Sequence, residues 1–253
     1  MSTPAQPSPL PPTPAPGDAL GGRCAFRGES LPDTLPSDPM PTVVAWMRQA
    51  AESGTQPNPN AMTLATVDEA RAPTARIVLC RGIDPVQGHL TFFTNYHSRK
   101  GRDLEANPVA SLVFHWDHLD RQVRVEGPVT RSPAAESDAY FNQRPLGSRL
   151  SAWASSQSSP LRDRADLLIA THEVMQRFGV SLDTDLEHDR TIRIPRPPHW
   201  GGLRVWARCV ELWLGDPHRL HDRAQWTRAL RPATIDGLDA FEGGPWSGTR
   251  LQP

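Results

Sequence analysis

The chain has 253 residues, with 27 basic and 28 acidic side chains and a formal net charge of -1. This near-neutral balance argues against a general polyanion binder, so no nucleic-acid partner is expected. The sequence holds no apolar run of about 18 residues, the length of a membrane helix, so no membrane partner is expected either.

The N-terminus lacks the basic start and apolar core of a secretory signal. Cys24, Cys80 and Cys209 are few, odd in number and widely spaced, with no CxxC pair. Such usage suits a reducing cytoplasm and supports neither a disulfide framework nor a metal site. We therefore expect a cytoplasmic protein that holds no metal.

Residues 1–20 are rich in Pro, Ser and Ala and are predicted to form a disordered tail. Residues 21–253 are predicted to form one domain. Its first helix is indicated by Asp38 and Pro39, a cap followed by proline. Apolar residues recur at helical spacing from Val43 to Ala51, and Gly54 ends the helix.

From residue 61 the hydrophobic period changes to two, which predicts strands. Five strands are expected before residue 130, at 61–67, 75–81, 89–95, 110–115 and 122–129. A short helix is predicted at 98–106, with Ser98 as its cap and Pro108 beyond its end.

The second half of the chain mixes helices, strands and loops. We expect helices at 132–144 and 159–178, loops at 183–196 and 229–245, and strands at 203–208, 210–214 and 220–227. A meander of strands with inserted helices favours an α+β fold built on an antiparallel barrel with peripheral helices. Neither GxGxxG nor GxxxxGK[ST] is present, so any phosphate must be held by side chains.

The strongest local motif is RLHDR at 219–223. On a strand, alternation would place Arg219, His221 and Arg223 on one face, where they could bind a phosphate or an electron-rich ring. The same charges could instead protect an exposed sheet edge. Trp213 could cover a flat ligand or a second core layer.

Two further groups could bind anions. Arg99 and Lys100 follow the Ser98 cap, where backbone amides and the helix dipole favour an anion, although a solvated helix start is the simpler interpretation. Tyr140 and Arg144 are four residues apart, and Ser148 follows, which makes either a phosphate cradle or a surface stacking pair.

Lys100 is the only lysine among the 27 basic residues. Codon bias explains the excess of arginine, but the two cations differ, because guanidinium is a rigid fork and ammonium a compact point charge.

Taken together and in order, these motifs resemble the pyridoxine/pyridoxamine 5'-phosphate oxidase family. The likeness extends from about residue 23 to 253, outside loops 183–193 and 229–245. It rests on the segments RIVLCR, FFTNYHSRKG, RQVRVEG, YFNQRPLGS, WASSQSS, WGG, ELWLG, RLHDR and RLQP.

The resemblance implies a homodimeric split barrel with FMN at the subunit interface. It implies oxidation of pyridoxamine or pyridoxine 5'-phosphate to pyridoxal 5'-phosphate, with O2 as acceptor and H2O2 as product. The implied FMN contacts are Arg76, Ile77, Val78, Leu79, Cys80, Arg81, Phe93, Thr94, Arg99, Lys100, Gln122, Gln157, Ser158, Trp213 and Arg223. The implied substrate contacts are Arg81, Tyr140, Arg144, Ser148, Arg219, Leu220 and His221, with Arg219 and His221 at the reacting carbon.

Two departures from the family pattern stand out. Arg81 replaces the usual lysine, which keeps the charge on a bulkier fork, and Phe26 replaces a tyrosine in an N-terminal segment thought to close over the substrate. Two alternatives to a pyridoxal phosphate-forming oxidase are kept: a flavin oxidase of another reduced aromatic, of the phenazine type, and a non-catalytic carrier of FMN or pyridoxal phosphate.

Overall fold

The structure is a computed structural model that describes residues 29–189, 191–235 and 237–253. The expected tail at 1–20 lies outside the described residues, and so do Cys24 and Phe26.

Five α-helices occur within the described ranges: α1 Met40–Glu52, α2 Arg99–Ala106, α3 Ala134–Gln143, α4 Leu146–Ala154 and α5 Arg164–Arg177. The strands of the same ranges are β1 Ala61–Val67, β2 Pro73–Leu79, β3 Gly82–Asp84, β4 His89–Asn95, β5 Val109–Trp116, β6 Arg121–Arg131, β7 Trp200–Trp206, β8 Cys209–Leu214, β9 Asp222–Thr227, β10 Leu230–Ile235, β11 Leu238–Gly243 and β12 Ser247–Leu251. The five strands predicted before residue 130 are confirmed, with shifts of up to two residues at their ends.

Strand β6 organises the main sheet. It pairs with β5 and β8 over most of its length, and its last three residues pair with β7, which continues to β4 and β3. Every pairing of these strands is antiparallel. The sheet therefore curls into the predicted antiparallel barrel.

The core lies inside this curl because the strands alternate. On β6, Val123 and Val125 are buried, whereas Gln122, Arg124 and Glu126 on the opposite face are half-buried. The buried side chains of β1, β4, β5, β7 and β8, including Leu64, Phe92, Phe114, Val205 and Leu212, complete the core, and α1 adds Met40 and Val43. Burial of one such side chain stabilises the fold by about 1.5–3 kcal/mol.

The prediction of a loop at 229–245 was wrong. Strands β10 and β11 form a hairpin in which Leu230 pairs with Gly243 and Ile235 with Leu238. Gly237, at φ +75°, lies in the turn, and Phe241 packs against Trp206 with ring centroids 6.1 Å apart. Pro232 and the flanking glycines hid the strand pattern, because proline and glycine are typical of loops.

Two helix predictions also needed correction. Helix α4 was missed because Pro145 was taken as a terminator, yet proline is tolerated where a helix begins, and Pro145 is the N-cap of α4. Helix α5 begins at Arg164 rather than at residue 159, because the Asp163 carboxylate caps it by accepting the Asp166 amide.

Candidate functional site

A cavity of about 490 Å³ lies where β2, β4 and α5 meet the start of α2 and the ends of α3 and α4. Its lining residues are Ile77, Val78, Leu79, Arg81, Phe93, Thr94, Asn95, Lys100, Tyr140, Arg144, Ser151, Ala152, Ser155, Gln157, Leu167, Thr171 and Trp200. Residues predicted for FMN and residues predicted for the substrate phosphate thus share one cavity. Asn95, Ser151 and Ser155 were missed. Asn95 and Ser155 lie within the FFTNYHSRKG and WASSQSS segments but received no role there. Trp200 stood in the WGG segment without a role.

Lys100 lies at the inner end of the cavity and is only 9% exposed. Its ammonium donates to Thr94 Oγ1, Ser98 Oγ and Gln157 Oε1, each at 3.1 Å. These acceptors are neutral, so they hydrogen-bond the ammonium without neutralising its positive charge. Burial, and next the charge of Arg76, lower the pKa of Lys100 to about 8.

The start of α2 is shaped by Ser98 and Gly101. The Ser98 hydroxyl accepts the Gly101 amide at 3.3 Å and so caps the helix as predicted. A Cβ on Gly101 would lie 2.0 Å from the carbonyl oxygen of Tyr96, so only glycine allows this close approach. This contact holds Lys100 at the cavity wall.

Arg144 and Arg81 give the cavity two more cations. The Arg144 guanidinium lies 4.7 Å from the Trp200 ring centroid, and its Nη1 is buried without a hydrogen-bond partner. Burial lowers the pKa of Arg144, although nearby Tyr140 counteracts it, and Arg81 lowers it further. No aspartate or glutamate is among the described residues that line this cavity. A buried N–H group of a cation is costly without an acceptor, so the cavity is suited to an anion.

Aromatic rings form one wall of the cavity. The rings of Phe93 and Tyr140 stack with centroids 4.1 Å apart and an interplanar angle of 15°. Trp200 lies nearly parallel to both, and the Arg81 guanidinium lies 5.6 Å from the Tyr140 centroid. Flat walls and cations together suit a planar, negatively charged ligand. Tyr140 and Arg144 do converge here, although Arg144 lies just beyond the end of α3.

A second cluster of predicted residues lies on β6, β8 and β9 and does not line the cavity. Gln122, Trp213 and Arg223 stand in one row across these strands. Glu211, 2% exposed, accepts hydrogen bonds from Arg223 at 2.8 Å and from Arg124 at 2.5 Å. The His221 ring lies 4.7 Å from that of Trp213.

The predicted alternation of Arg219, His221 and Arg223 on a strand was wrong. Strand β9 begins at Asp222, and Arg219 lies in a turn at φ +64°. The Asp216 carboxylate accepts the amides of His218 and Leu220, which stabilises this turn instead of a strand. Arg219 and Leu220 are exposed, Leu220 by 74%.

The remaining predicted residues do not line the cavity. Arg76 is held by hydroxyls of β1 and β2, and Arg99 pairs with Asp68 at 3.7 Å. The buried Cys80 thiol donates to the Gly82 carbonyl, and burial raises its pKa to about 11. Ser148 lies in the first turn of α4, and Ser158 is exposed at φ +71°.

Comparison with known families identifies the family to which this chain belongs. Residues 48–178 match the family described as pyridoxamine 5'-phosphate oxidase. Residues 200–253 match the pyridoxine 5'-phosphate oxidase C-terminal dimerisation region. The chain belongs to the pyridoxamine 5'-phosphate oxidase family. The resemblance seen in the sequence is therefore confirmed.

Individual members of the family are similar to this chain over most of its length. The chain is 47% identical over 208 residues to the pyridoxine/pyridoxamine 5'-phosphate oxidase of Paraburkholderia phytofirmans, which covers 82% of this chain and 85% of that protein. It is 45% identical over 216 residues to the enzyme of that name from Burkholderia lata, covering 85% and 89% of the two chains.

Solved structures of the family share the fold. The crystal structure of PhzG from Burkholderia lata, in complex with tetrahydrophenazine-1-carboxylic acid, matches with a TM-score of 0.71 at 28% identity, covering 87% of this chain and 95% of that one. A pyridoxamine 5'-phosphate oxidase-related, FMN-binding protein from Nostoc punctiforme matches with a TM-score of 0.57 at 18% identity, covering 85% and 97%. The predicted split-barrel fold is confirmed.

Among the helices of the described ranges, none is long and apolar enough to cross a membrane.

Proposed function

We propose that this protein is an FMN-dependent oxidase that converts pyridoxamine or pyridoxine 5'-phosphate to pyridoxal 5'-phosphate. The observation that carries the proposal is the buried, unpartnered Nη1 of Arg144 in a cationic, aromatic-walled cavity of this family's fold. Two electrons and two protons pass from the substrate to O2, which becomes H2O2. With the amine substrate, water supplies the carbonyl oxygen and ammonia leaves.

The cofactor is FMN, which family membership and the likeness to an FMN-binding protein support. The residues of the cavity suit FMN, since they provide cations without carboxylates and a flat aromatic wall. Lys100, Gln157 and Thr94 would hold the cofactor on one side, with Arg76 and Arg99 near the start of α2. When bound, FMN would supply the redox chemistry, the acceptance of a hydride and the transfer of electrons to O2.

Arg144, Tyr140 and Arg81 would bind the phosphate of the substrate. A guanidinium binds phosphate through paired N–H donors, and Arg144 has a buried donor free for that purpose. Because no carboxylate competes among the described lining residues, the two arginines can meet a dianion directly. Phosphate binding would fix the pyridine ring and its reacting carbon in position.

His221 would act as a hydrogen-bond donor to the substrate. Its Nδ1 accepts the backbone amide of Asp216 at 3.0 Å, so the neutral ring carries its proton on Nε2. The exposed Arg219, two residues earlier, would lie over the substrate ring from the same turn. Together they would position the reacting carbon.

We also propose a homodimer in which each active site is made by two subunits. Gln122, Trp213, His221 and Arg223 do not line the cavity of their own chain. The region from residue 200 that matches the family's dimerisation region contains three of them. In the dimer, these four residues of one chain would lie against the cavity of the other chain. A cytoplasmic location is part of the same proposal, supported by two buried free cysteines.

A phenazine-type oxidase is the second candidate, because PhzG matches over nearly its whole length. Two Burkholderia lata proteins favour the first candidate over this one. The chain is 45% identical to the pyridoxine/pyridoxamine 5'-phosphate oxidase and 28% identical to PhzG. A tricyclic carboxylate also offers no phosphate for Arg81 and Arg144. A carrier without catalysis would need no groups such as Arg219 and His221 at the reacting carbon.

The test is a steady-state assay of the FMN-loaded protein. Pyridoxamine 5'-phosphate, pyridoxine 5'-phosphate, unphosphorylated pyridoxamine and tetrahydrophenazine-1-carboxylic acid are compared, with pyridoxal phosphate absorbance and peroxide read together. We expect equal yields of aldehyde and peroxide from the phosphorylated substrates, and a kcat/KM lower by about 100-fold or more without the phosphate, given about 3 kcal/mol for charge-assisted binding. Faster oxidation of the phenazine precursor, or flavin binding without turnover, would overturn the proposal.

A further inference from the structure

Asp103 on α2 is a buried carboxylate, 4% exposed, that faces β1 and β2 rather than the cavity. Its Oδ2 accepts the hydroxyl of Thr66 at 2.6 Å and that of Thr74 at 3.0 Å. The same oxygen lies 3.5 Å from Arg76 Nη2. A carboxylate this deeply buried needs such partners, since leaving it unpaired would be costly.

The two threonines connect Asp103 to Arg76. Arg76 Nη1 donates to Thr66 Oγ1 at 2.7 Å, and Nη2 donates to Thr74 Oγ1 at 2.5 Å. Because guanidinium can only donate and an ionised carboxylate can only accept, each threonine accepts from Arg76 and donates its own proton to Asp103. The direction of both hydrogen-bond chains is therefore fixed. A further hydrogen bond runs from Nη1 to the Leu64 carbonyl, at 3.1 Å. Asp103, Thr66, Thr74 and Leu64 together form a clamp around Arg76.

The clamp holds a cation in a region of net positive charge. Burial lowers the pKa of Arg76, Asp103 counteracts it, and Arg99 lowers it again. The charge of Arg76 in turn reaches Lys100 and lowers its pKa. Burial works against the ionised form of Asp103, but the two threonine hydrogen bonds and Arg76 keep the pKa of that carboxyl below its ordinary value. Asp103 therefore stays charged at neutral pH.

We propose that Asp103 is a positioning residue: through Thr66 and Thr74 it fixes the Arg76 guanidinium beside Lys100, ready for the phosphate of the flavin cofactor. The inference rests on the proposed function, since it assumes that a flavin phosphate binds at the start of α2. Asp103 itself touches neither ligand. Its effect is to reduce the freedom of a side chain that would otherwise lose rotamer entropy on binding.

Removal of Asp103 would change phosphate affinity in opposite directions, depending on whether its charge or its positioning of Arg76 dominates. A carboxylate near an anion site repels the anion, so by charge alone its loss would tighten phosphate binding. If positioning dominates, loss of the carboxylate frees Arg76 and weakens phosphate binding. Riboflavin, which is FMN without the phosphate, separates both effects from a general disturbance of the flavin site.

The experiment titrates the apoprotein with FMN and with riboflavin and follows the quenching of flavin fluorescence. The variants are Asp103→Ala and the double variant Thr66→Val/Thr74→Val, which breaks the hydrogen-bond chains but keeps the charge. Glu105→Gln is the matched control, because Glu105 is an exposed acid of the same helix that pairs with Arg131. Circular dichroism and thermal unfolding report the fold of each variant.

We expect both test variants to bind FMN about 10-fold or more weakly, the loss of one or more charge-assisted hydrogen bonds, with riboflavin affinity unchanged within about twofold. Glu105→Gln should match the wild type with both ligands. An unchanged or tighter FMN complex in Asp103→Ala, or equal losses for FMN and riboflavin, would overturn the inference. If Asp103→Ala does not fold, the double threonine variant decides by the same criteria. A wild-type protein that does not prefer FMN over riboflavin would instead contradict the proposed function.

Discussion

Lys100 shows how one residue type can matter in a chain that otherwise uses arginine. Its ammonium donates to three neutral oxygens inside a narrow space at the start of α2. A planar guanidinium presents its donors in a fixed fork and could not reach three oxygens arranged around one point. The structure thus offers a local geometric reason for lysine here, in addition to codon bias.

The lowered pKa of Lys100 predicts that, in the proposed function, FMN affinity depends on pH. In the apoprotein the pKa is about 8, so the ammonium loses its proton as pH rises through that value. Only the charged form attracts phosphate, so we expect the Kd for FMN to rise above pH 8, by up to about tenfold per pH unit. Fluorescence titrations between pH 6.5 and 9.5 would measure this. A Kd that stays flat across this range would contradict the assignment.

Lys100→Arg serves as the control, because arginine stays protonated and should remove the pH dependence while weakening FMN binding at pH 7. Apoprotein stability changes in the opposite sense to FMN affinity. Between pH 8 and the ordinary value of 10.5, the unfolded chain binds more protons than the folded one, so the free energy of unfolding should rise with pH.

Motifs predicted the position of some site residues correctly and of others incorrectly. Spacing alone left Lys100, Tyr140 and Arg144 open between anion binding and ordinary surface roles, the family resemblance assigned them to ligand binding, and all three line the cavity. Arg219 and His221 were assigned to one strand face, but the Asp216 carboxylate forms a turn there. Alternation is a property of strands alone, and competition between a strand and a side-chain-stabilised turn is decided by tertiary contacts.

At the scale of elements, the starts of helices were the hardest feature to predict. Ser98 was identified correctly as the cap of α2. For α5, a serine followed by proline at 159 and 160 gave a false start, whereas the Asp163 side chain binds the Asp166 amide. Several Ser and Asp residues near one another can each cap a helix, and only one of them has the required backbone geometry.

This difference gives a paired test of helix α5. Asp163→Ala should lower the free energy of unfolding by about 1 kcal/mol, because an amide at the helix start loses its acceptor. Ser159→Ala, at the predicted but incorrect cap, should change it by less than about 0.5 kcal/mol. Urea unfolding followed by circular dichroism would measure both. Equal effects of the two substitutions would mean that Asp163 does not act as the cap.

At the scale of the whole molecule, the main feature is that two groups of predicted site residues lie apart. One lines the cavity, and the other lies on β6, β8 and β9 and in the turn before β9 that holds Arg219 and His221. In a symmetric dimer the same patch of each chain meets the other chain, so two incomplete halves can form two complete sites. The proposed activity therefore requires association.

Mixing two inactive variants tests this arrangement. Arg144→Ala removes a cavity residue and Arg219→Ala a residue of the other group, so their heterodimer has one site with both defects and one intact site. If the two chains associate at random, half of the dimers are heterodimers, and about a quarter of the wild-type activity should return. Co-expression of the two variants with different tags, followed by the oxidase assay, measures the recovery.

The control mixes Arg144→Ala with Lys100→Ala. Both substitutions affect the cavity of their own chain, so neither site of that heterodimer is intact and no activity should return. No recovery in the test pair would show that each site is built by a single chain. Recovery in the control would show that Lys100 and Arg144 of one chain do not serve the same site.

The sequence by itself determined the family, the antiparallel strands and the residue types of the proposed anion site. Hydrophobic alternation and local motifs encode these properties within short segments. The tertiary structure decided which of those residues share a cavity, that residues 230–243 form a hairpin, and that Asp103 reaches Arg76 through Thr66 and Thr74. These contacts join segments far apart in the chain, and their geometry depends on how the whole sheet curls.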